Sequence, residues 1–262
     1  MQLITDTNQT DLPELERFVY HHPYGNFFQS AKAFQFFQSV DGYKPVLIVE
    51  RNEDKIVGSL LGVVIKEGSR LKGYFSRRCI VWGGPLVKDD DPVIWSRLLE
   101  TLGEMTNRKA IYMEFRNFRD LDELNNVYKG AGFQFHDHLN YIVSVPSLEK
   151  ARAGLSKSKK RQVNKSLKSG AKILQANNLA QIEEFYDILK QLYREKVKKP
   201  LPAFDFFNRF FQDKSLGVFL LIELNGRVIG GIMCPVYKDT IYEWFVCGLD
   251  GVLKDVYPSV LA

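Results

Sequence analysis

Two stretches of this chain share one pattern of apolar and polar residues, although 172 positions separate Gly58 from Gly230. The first reads Ile-Val-Glu-Arg-Asn-Glu-Asp-Lys-Ile-Val-Gly, and the second reads Ile-Glu-Leu-Asn-Gly-Arg-Val-Ile-Gly-Gly. Each has an apolar run that reaches Glu (Glu50, Glu223), a polar turn, and a second apolar run that leads to glycine. This pattern predicts a β-hairpin that is used twice. The spacing is too long for a solenoid repeat of roughly 20–50 residues, so we expect two copies of one domain.

The order of the predicted elements supports this duplication. Two helices, antiparallel strands, and then alternating helices and strands fill the first half, and the pattern restarts after Pro146. We therefore predict an α/β (α+β) protein with mixed, mainly antiparallel sheets flanked by helices, divided into residues 1–147 and 148–262. The predicted helices begin at Asp11 and span 30–40, 92–106, 120–130, 180–196 and 204–211. The predicted strands span 45–50, 55–65, 74–82, 110–115, 133–146 (one long strand or a pair), 217–224, 227–236 and 240–247.

The second copy is expected to be shorter than the first. From Gly58 to Pro146 the first copy has 88 residues, whereas from Gly230 to Ala262 the second has 32. The difference corresponds to roughly two helices and two strands. We therefore expect the second domain to be incomplete at its C-terminal side.

Composition restricts the class of protein. The three cysteines (Cys79, Cys234, Cys247) have no CxxC spacing, so they predict neither a disulfide framework nor a zinc site. The start has no signal-peptide pattern, and no apolar run reaches the roughly 18–20 residues that span a bilayer. A reducing, cytoplasmic location follows as an expectation, and it leaves room for peripheral contact with the inner membrane surface. The net charge of +5 is compatible with an anionic partner.

One segment concentrates positive charge. Helical spacing would place five cations of this segment on one face: Lys157, Arg161, Lys165, Lys168 and Lys172. Such a stripe can neutralise the phosphates of RNA, of a nucleotide diphosphate or of anionic lipid. The alternative is a solvated linker helix.

Several other side chains are candidates for a substrate site. Lys198 and Lys199 precede Pro200. Cations at such a turn can hold a diphosphate. The alternative is that they only interact favourably with the dipole at the C-terminal end of a helix. Arg77 and Arg78 are predicted within one strand and would face opposite sides, so one of them could enter a cleft. Further along, Tyr237, Tyr242 and Trp244 follow a strand, the last two on one face, where they could line a groove or pack in the core.

Signals for other chemistry are weak. Glu114 and Glu243 are candidate general bases if burial raises their pKa. The pairs His21-His22 and His136-x-His138 lack further ligands at metal spacing, so no metal is predicted. No Gly-rich pyrophosphate loop of the kind used for coenzyme A opens a helix, and Pro85 removes a donor from Gly83-Gly84-Pro85. No cofactor is predicted.

Five segments together resemble the Fem (FemABX-like) family of peptidoglycan-bridge aminoacyltransferases, which have a tandem GNAT fold. They are Asn26-Phe-Phe-Gln-Ser, Trp82-Gly-Gly-Pro, the basic run from Leu155 to Lys168, the stretch from Tyr193 to Pro202, and Tyr242-Glu-Trp-Phe. The resemblance implies a bacterial, cytoplasmic transferase of cell-wall synthesis. It would move an amino acid from aminoacyl-tRNA to the stem-peptide amine of UDP-muropeptide or lipid II.

The resemblance also implies residue roles. The first domain would be mainly structural, and a cleft between the domains would hold the precursor, with Arg78, Lys198 and Lys199 on phosphate and Tyr242 and Trp244 along the channel. Two departures stand against it. Relatives place further site residues beyond the point where this sequence stops. Several relatives also carry a long helical hairpin inside the second domain that helps to meet tRNA, and no segment of this sequence is long enough to form one.

Two alternative functions remain open. One is an N-acyltransferase of the same fold that uses acyl-coenzyme A and acts on cell-surface polysaccharide. The other is a non-catalytic module that only binds the precursor.

Overall fold

The computed structural model describes residues 2–67 and 75–262. The chain divides into two compact units, Met1–Asn140 and Tyr141–Ala262. Both units combine helices with a mainly antiparallel sheet, which confirms the predicted mixed α/β class. The domain boundary at residue 147 stays a prediction, and the contacts divide the chain slightly earlier.

The first unit contains a six-stranded sheet. Its order is β1-β2-β3-β4-β6, with β5 also paired to β3, and among the strands that the structure describes here only the β4–β6 pair is parallel. The elements are β1 (Gln2–Ile4), α1 (Leu12–His21), α2 (Ala31–Ser39), β2 (Tyr43–Asn52), β3 (Lys55–Ile65), β4 (Arg78–Trp82), β5 (Leu86–Val87), α3 (Pro92–Thr106), β6 (Tyr112–Arg116) and α4 (Asn125–Gly130).

Local sequence explains where these helices begin. The side chains of Asp11, Ser30 and Asp91 accept hydrogen bonds from backbone N–H groups in the first turns of α1, α2 and α3. Capping of this kind satisfies amides that have no partner within the helix. Helix α3 then packs its apolar face on β2 and β3, where Trp95 and Leu98 are fully buried. The predicted helix at 92–106 is confirmed.

The second unit contains a five-stranded sheet. Its order is β10-β9-β8-β7, and β11 also pairs with β9, all antiparallel. The elements are α5 (Leu148–Gly154), α6 (Lys157–Lys168), β7 (Lys172–Gln175), α7 (Leu179–Leu192), α8 (Phe204–Gln212), β8 (Gly217–Leu224), β9 (Arg227–Tyr237), β10 (Thr240–Ile241), β11 (Phe245–Gly248) and α9 (Pro258–Leu261).

The two hairpins have the same register, which confirms the repeat predicted from the sequence. Glu50 pairs with Gly58 and Ile222 pairs with Gly230, and each hairpin has a β-bulge directly after that pair. This register makes Ile222, and not Glu223, the counterpart of Glu50. The sequence pattern alone aligns Glu223 with Glu50, and this alignment is wrong by one residue.

The glycine of each hairpin faces a helix that begins with proline. A Cβ on Gly58 would lie 2.7 Å from Ile94 Cγ2 of α3. A Cβ on Gly230 would lie 2.9 Å from Pro258 Cβ of α9. Both glycines therefore lie where a helix approaches the sheet closely.

Three predicted elements differ from the structure. The segment 133–146 forms no strand: its side chains are largely exposed, and no strand within the described ranges pairs with its backbone. A strand needs a hydrogen-bonded neighbour, which periodicity cannot reveal. The predicted strand 240–247 is interrupted between β10 and β11. The strand predicted at 74–82 begins at Arg78, so Arg77 lies outside it, and Tyr74 is outside the described residues.

None of the helices in the described ranges is both long and apolar enough to cross a lipid bilayer.

Candidate functional site

An irregular helix end marks the candidate site in the second unit. Helix α7, capped by Asn178, passes at Leu192 into a π-helical turn, Tyr193–Val197. The Lys198 amide closes this turn with a hydrogen bond of 2.7 Å to the Tyr193 carbonyl. Lys198 itself adopts a left-handed backbone with φ of 54°, which is costly for a residue with a side chain. Such turns and such strain are frequent at functional sites.

An aromatic cluster lies against this turn. The Tyr193 ring is 6.5 Å from the Phe245 ring, which is 5.6 Å from Trp244. Phe206 of α8 meets Trp244 edge-on at 5.2 Å, and Phe207 meets Phe245 at 5.1 Å. The cluster therefore joins the π turn, α8 and β11 into one packed region, in which edge-to-face contacts are favourable.

Tyr242 and Trp244 keep the predicted alternation, although no regular strand contains them. The amide of Tyr242 donates to Pro235 O at 2.9 Å, and the amide of Trp244 donates to Met233 O at 3.1 Å. Both amides thus turn toward β9, as expected for two residues on one face. Both side chains are half-buried. Trp244 packs in the core and is also partly exposed. Its two predicted roles, core packing and lining of a groove, are therefore compatible.

The predicted phosphate-binding lysines lie beside this cluster. Lys198 and Lys199 are exposed, and Lys198 is joined to Tyr193 by the backbone hydrogen bond. Arg194, in the same turn, pairs with Glu195 at 3.2 Å on the surface. Exposed ammonium groups can receive a phosphate. Four of the five predicted substrate-binding residues therefore belong to the second unit.

The fifth predicted residue, Arg78, belongs to the first unit. Its guanidinium donates to Glu67 Oε2 at 2.9 Å and is largely shielded from solvent. Arg77 donates to the Arg108 carbonyl at 2.9 Å. Arg78 is therefore already engaged by a carboxylate in this structure, and its role toward substrate stays a prediction.

Four of the five predicted stripe cations lie on α6. Lys157, Arg161, Lys165 and Lys168 are exposed and follow one face of the helix. The expectation for Lys172 is wrong, because α6 ends at Lys168 and Gly170 turns the chain with φ of 92° into β7. In β7, Lys172 pairs with Glu223 of β8.

The carboxylates differ from the sequence expectation in their burial. Glu114 is half-buried and accepts a hydrogen bond of 2.8 Å from Arg116, and Glu243 is exposed. The fully buried carboxylate is Glu50, 1% exposed, with Arg97 Nη2 at 2.5 Å. Burial raises the pKa of Glu50, and the charge of Arg97 opposes that rise. No local signal indicates this burial, since an isolated Glu at the end of a strand is normally exposed.

The cysteine thiols are unreactive in the folded chain. Burial raises the pKa of each cysteine to about 12. Thiols of this kind are inert at neutral pH. Across residues 2–67 and 75–262, no cluster of three or more His, Cys, Asp or Glu side chains could hold a metal ion.

Comparison with known proteins identifies the fold. The structure of FemX matches with a TM-score of 0.57 at 16% identity, over 86% of this chain and 58% of FemX. Other solved structures match at lower TM-scores. One is a probable acetyltransferase (0.39, 16% identity, 56% of this chain and 99% of that one). Another is an aminoglycoside 6'-N-acetyltransferase from Acinetobacter haemolyticus (0.40, 9% identity, 56% and 100%).

The chain thus has a fold similar to that of FemX, which confirms the predicted resemblance to the Fem family at the level of the fold. The match spans less than two thirds of the length of FemX. No protein-family model matches the sequence. No curated protein matches it either.

Proposed function

We propose that this chain is a Fem-like aminoacyltransferase, which moves an amino acid from aminoacyl-tRNA to the stem-peptide amine of a peptidoglycan precursor. The observation that carries the proposal is the match to FemX across 86% of this chain. A match of that extent involves both units, and the Fem-like segments of the sequence fall in both. The acceptor would be UDP-muropeptide or lipid II.

The proposed reaction needs positioning more than a reactive side chain. The acceptor amine attacks the ester carbonyl of the aminoacyl-tRNA, and a C–N bond forms. The C–O bond to the ribose then breaks, and the ribose hydroxyl leaves with the proton that the amine gives up. No covalent enzyme intermediate is required, which agrees with three buried cysteines of high pKa. Alignment of the reactants and stabilisation of the oxyanion would supply the rate.

The residues around the π turn would bind the acceptor. We assign Lys198 and Lys199 to its phosphates, because both are exposed and Lys198 is fixed in position by the left-handed turn. Tyr242 and Trp244 would line the channel that holds the rest of the precursor. Arg78 is proposed as a further phosphate contact, for which it would exchange its bond to Glu67.

A thermal-shift series with UDP-MurNAc-pentapeptide, coenzyme A and bulk tRNA tests this proposal. A ligand at about 100 times its dissociation constant stabilises the folded state by roughly 2.7 kcal/mol. We expect a shift with the muropeptide, and loss of that shift in the double variant Lys198→Gln/Lys199→Gln. The matched control is Lys190→Gln, an exposed lysine of α7 outside the π turn.

Each outcome has a distinct meaning. A shift with coenzyme A alone would contradict the proposal and favour an acyl-coenzyme A-dependent enzyme. A muropeptide shift without transfer of labelled amino acid from aminoacyl-tRNA would favour a non-catalytic binding module. A shift that persists in the double lysine variant would refute the assigned residues.

A further inference from the structure

Positive charge is concentrated in one tenth of the chain. Residues 148–172 contain nine Lys and Arg residues and one acidic residue, Glu149, which gives a net charge of +8. The whole chain carries +5, so the other 237 residues together carry −3. Solvation of an ordinary helix does not require such an excess, because most surfaces mix both signs. The segment therefore points to a partner with many negative charges.

The fold turns this charge outward. At about 100° per residue, Lys157, Arg161, Lys165 and Lys168 fall within an arc of roughly 80° on α6. We call these four residues the basic face. The opposite side of α6 packs on the unit through Gln162, Val163 and Ser166, which are the least exposed residues of the helix.

Two contacts hold α6 in this orientation. Ser166 Oγ, fully buried, accepts a hydrogen bond from the Tyr257 amide at 2.9 Å. Lys165 pairs with Asp255 at 2.6 Å. The Lys165 ammonium lowers the pKa of Asp255, so this carboxylate stays ionised. The basic face is therefore a fixed surface of the second unit.

Large apolar side chains precede this helix directly. We call the following exposed residues the apolar flank: Ile142 (85% exposed), Val143 (77%), Val145 (62%), Leu148 (67%) and Leu155 (41%). Lys160 Nζ donates to the Ala153 carbonyl at 3.1 Å, so the start of α6 lies against the end of α5. These five side chains lie within 14 consecutive residues, and large apolar side chains exposed close together are typical of an interaction surface.

We propose that the basic face and the apolar flank together dock the protein on an anionic phospholipid surface. Lysines attract the negatively charged headgroups, and exposed Ile, Val and Leu side chains enter the boundary with the acyl chains. RNA offers the same phosphate charge, but it has no apolar region into which the side chains of the apolar flank could insert. Three of the four residues of the basic face are also Lys, whereas Arg is the residue favoured for bidentate phosphate recognition. A lipid surface accounts for both the basic face and the apolar flank.

Vesicle sedimentation of the full 262-residue chain tests the docking surface. The probes are large vesicles of phosphatidylcholine alone and of phosphatidylcholine with 30% phosphatidylglycerol, roughly the anionic content of a negatively charged leaflet, at low and at physiological salt. We expect binding to the anionic vesicles only. Each basic residue near such a surface strengthens binding by about fivefold, so Lys157→Gln/Arg161→Gln/Lys168→Gln should weaken it by about 100-fold. Lys165 is kept because it pairs with Asp255.

Matched controls separate this effect from a general loss of charge or of apolar surface. Lys55→Gln/Lys109→Gln/Lys129→Gln removes the same charge from exposed positions of the first unit and should bind as the unaltered chain does. Ile142→Ser/Val143→Ser should weaken vesicle binding severalfold at every salt concentration. The control for that pair is Val93→Ser/Ile111→Ser, which removes exposed side chains of the same kind from the first unit.

The outcomes decide the proposal without reference to transferase activity. Absence of binding to anionic vesicles would overturn it, and so would unchanged binding in the triple variant of the basic face. If bulk tRNA binds, vesicles do not, and the triple variant loses the RNA, the basic face is an RNA-binding surface and the proposal is wrong. If the serine pair has no effect on vesicle binding, the apolar flank takes no part in docking and that half of the proposal is refuted.

Discussion

Gln29 joins two strands of the first unit that do not pair with each other at that point. Strand β3 pairs with β5 at Gly58 and Ser59 and with β4 from Val63 onward, and Leu61 lies in the gap between. The Gln29 amide fills this gap. It donates to Leu61 O at 3.1 Å and to Trp82 O at 2.9 Å, and it accepts from Leu61 N at 2.9 Å.

Replacement by methionine should therefore be strongly destabilising. Gln29→Met preserves the approximate volume and removes all three hydrogen bonds. Gln29 is 1% exposed, so the three backbone groups would lose their partners in a buried site. Each unsatisfied group costs about 1–3 kcal/mol, and we expect a total of about 3–5 kcal/mol. A loss of that size is a large share of the roughly 5–15 kcal/mol that stabilises an ordinary domain.

Urea unfolding of the full chain, followed by tryptophan fluorescence, measures this loss. Trp82 and Trp95 report on the first unit and Trp244 on the second, so two transitions are expected if the units unfold separately. Only the transition of the first unit should shift. Gln38→Met, at an exposed position of α2, is the matched control and should change stability by less than 0.5 kcal/mol, roughly the range of a surface substitution. A loss below about 1 kcal/mol for Gln29→Met would refute the reasoning.

Three further predictions concern the hairpins, the buried carboxylate and the thiols. Gly230→Ala should cost about 1–3 kcal/mol in urea unfolding, and more than Gly58→Ala, because its new Cβ meets the backbone Cys247 O at 2.8 Å whereas that of Gly58 meets only side chains. The pKa of Glu50 is raised in the folded state, so the folded chain binds this proton more tightly than the unfolded chain. Stability from this group is complete below the ordinary pKa of 4.5 and is lost as pH rises through the folded value. Glu50→Gln should flatten that fall in the urea midpoint. The three buried thiols, whose pKa is raised to about 12, should react with a maleimide at pH 8 only after unfolding.

Controls for the first two predictions lie on α3. A Cβ added to Gly103 of α3 would meet no atom within 4 Å, so Gly103→Ala should stabilise the chain by about 0.5–1 kcal/mol. An equal loss from Gly103→Ala and Gly230→Ala would contradict the steric argument. Glu104→Gln, at an exposed position of α3, is the matched control for Glu50→Gln. Rapid maleimide reaction in the folded chain would contradict the burial of the cysteines.

Local signals predicted much of this fold correctly. The hairpin at Asn225-Gly226 follows from two residues that readily adopt a left-handed backbone, and both do so here. The starts of α1 and α3 follow from Asp11 and Asp91, each directly before its helix and hydrogen-bonded to an amide two or three positions further on. Lys198, Lys199, Tyr242 and Trp244 are candidates from the sequence because charge and alternation are visible there. The contacts of Lys198 with Tyr193 and of Trp244 with Phe245 are not visible there, since they depend on how α7 and β11 fold and pack.

Other features depend on contacts that are distant in sequence. Gln29 binds residues 32 and 53 positions away, and no local pattern distinguishes it from the exposed Gln38. The segment 133–146 has the composition of a strand but no neighbour among the described strands with which to pair. Lys172 has helical spacing from Lys168, but Gly170 ends the helix between them.

The mixed α/β class, the duplicated hairpins, most helix boundaries and the concentration of charge on α6 can all be read from the order of the residues. These properties depend on periodicity, capping and composition, which act over a few residues. Three others come from the packed chain: Glu50 is buried, its counterpart in the second hairpin is Ile222, and Trp244 packs with Phe206 and Phe245. Burial and proximity belong to tertiary packing, because the free energy of a charge or a ring depends on which distant atoms exclude water from it.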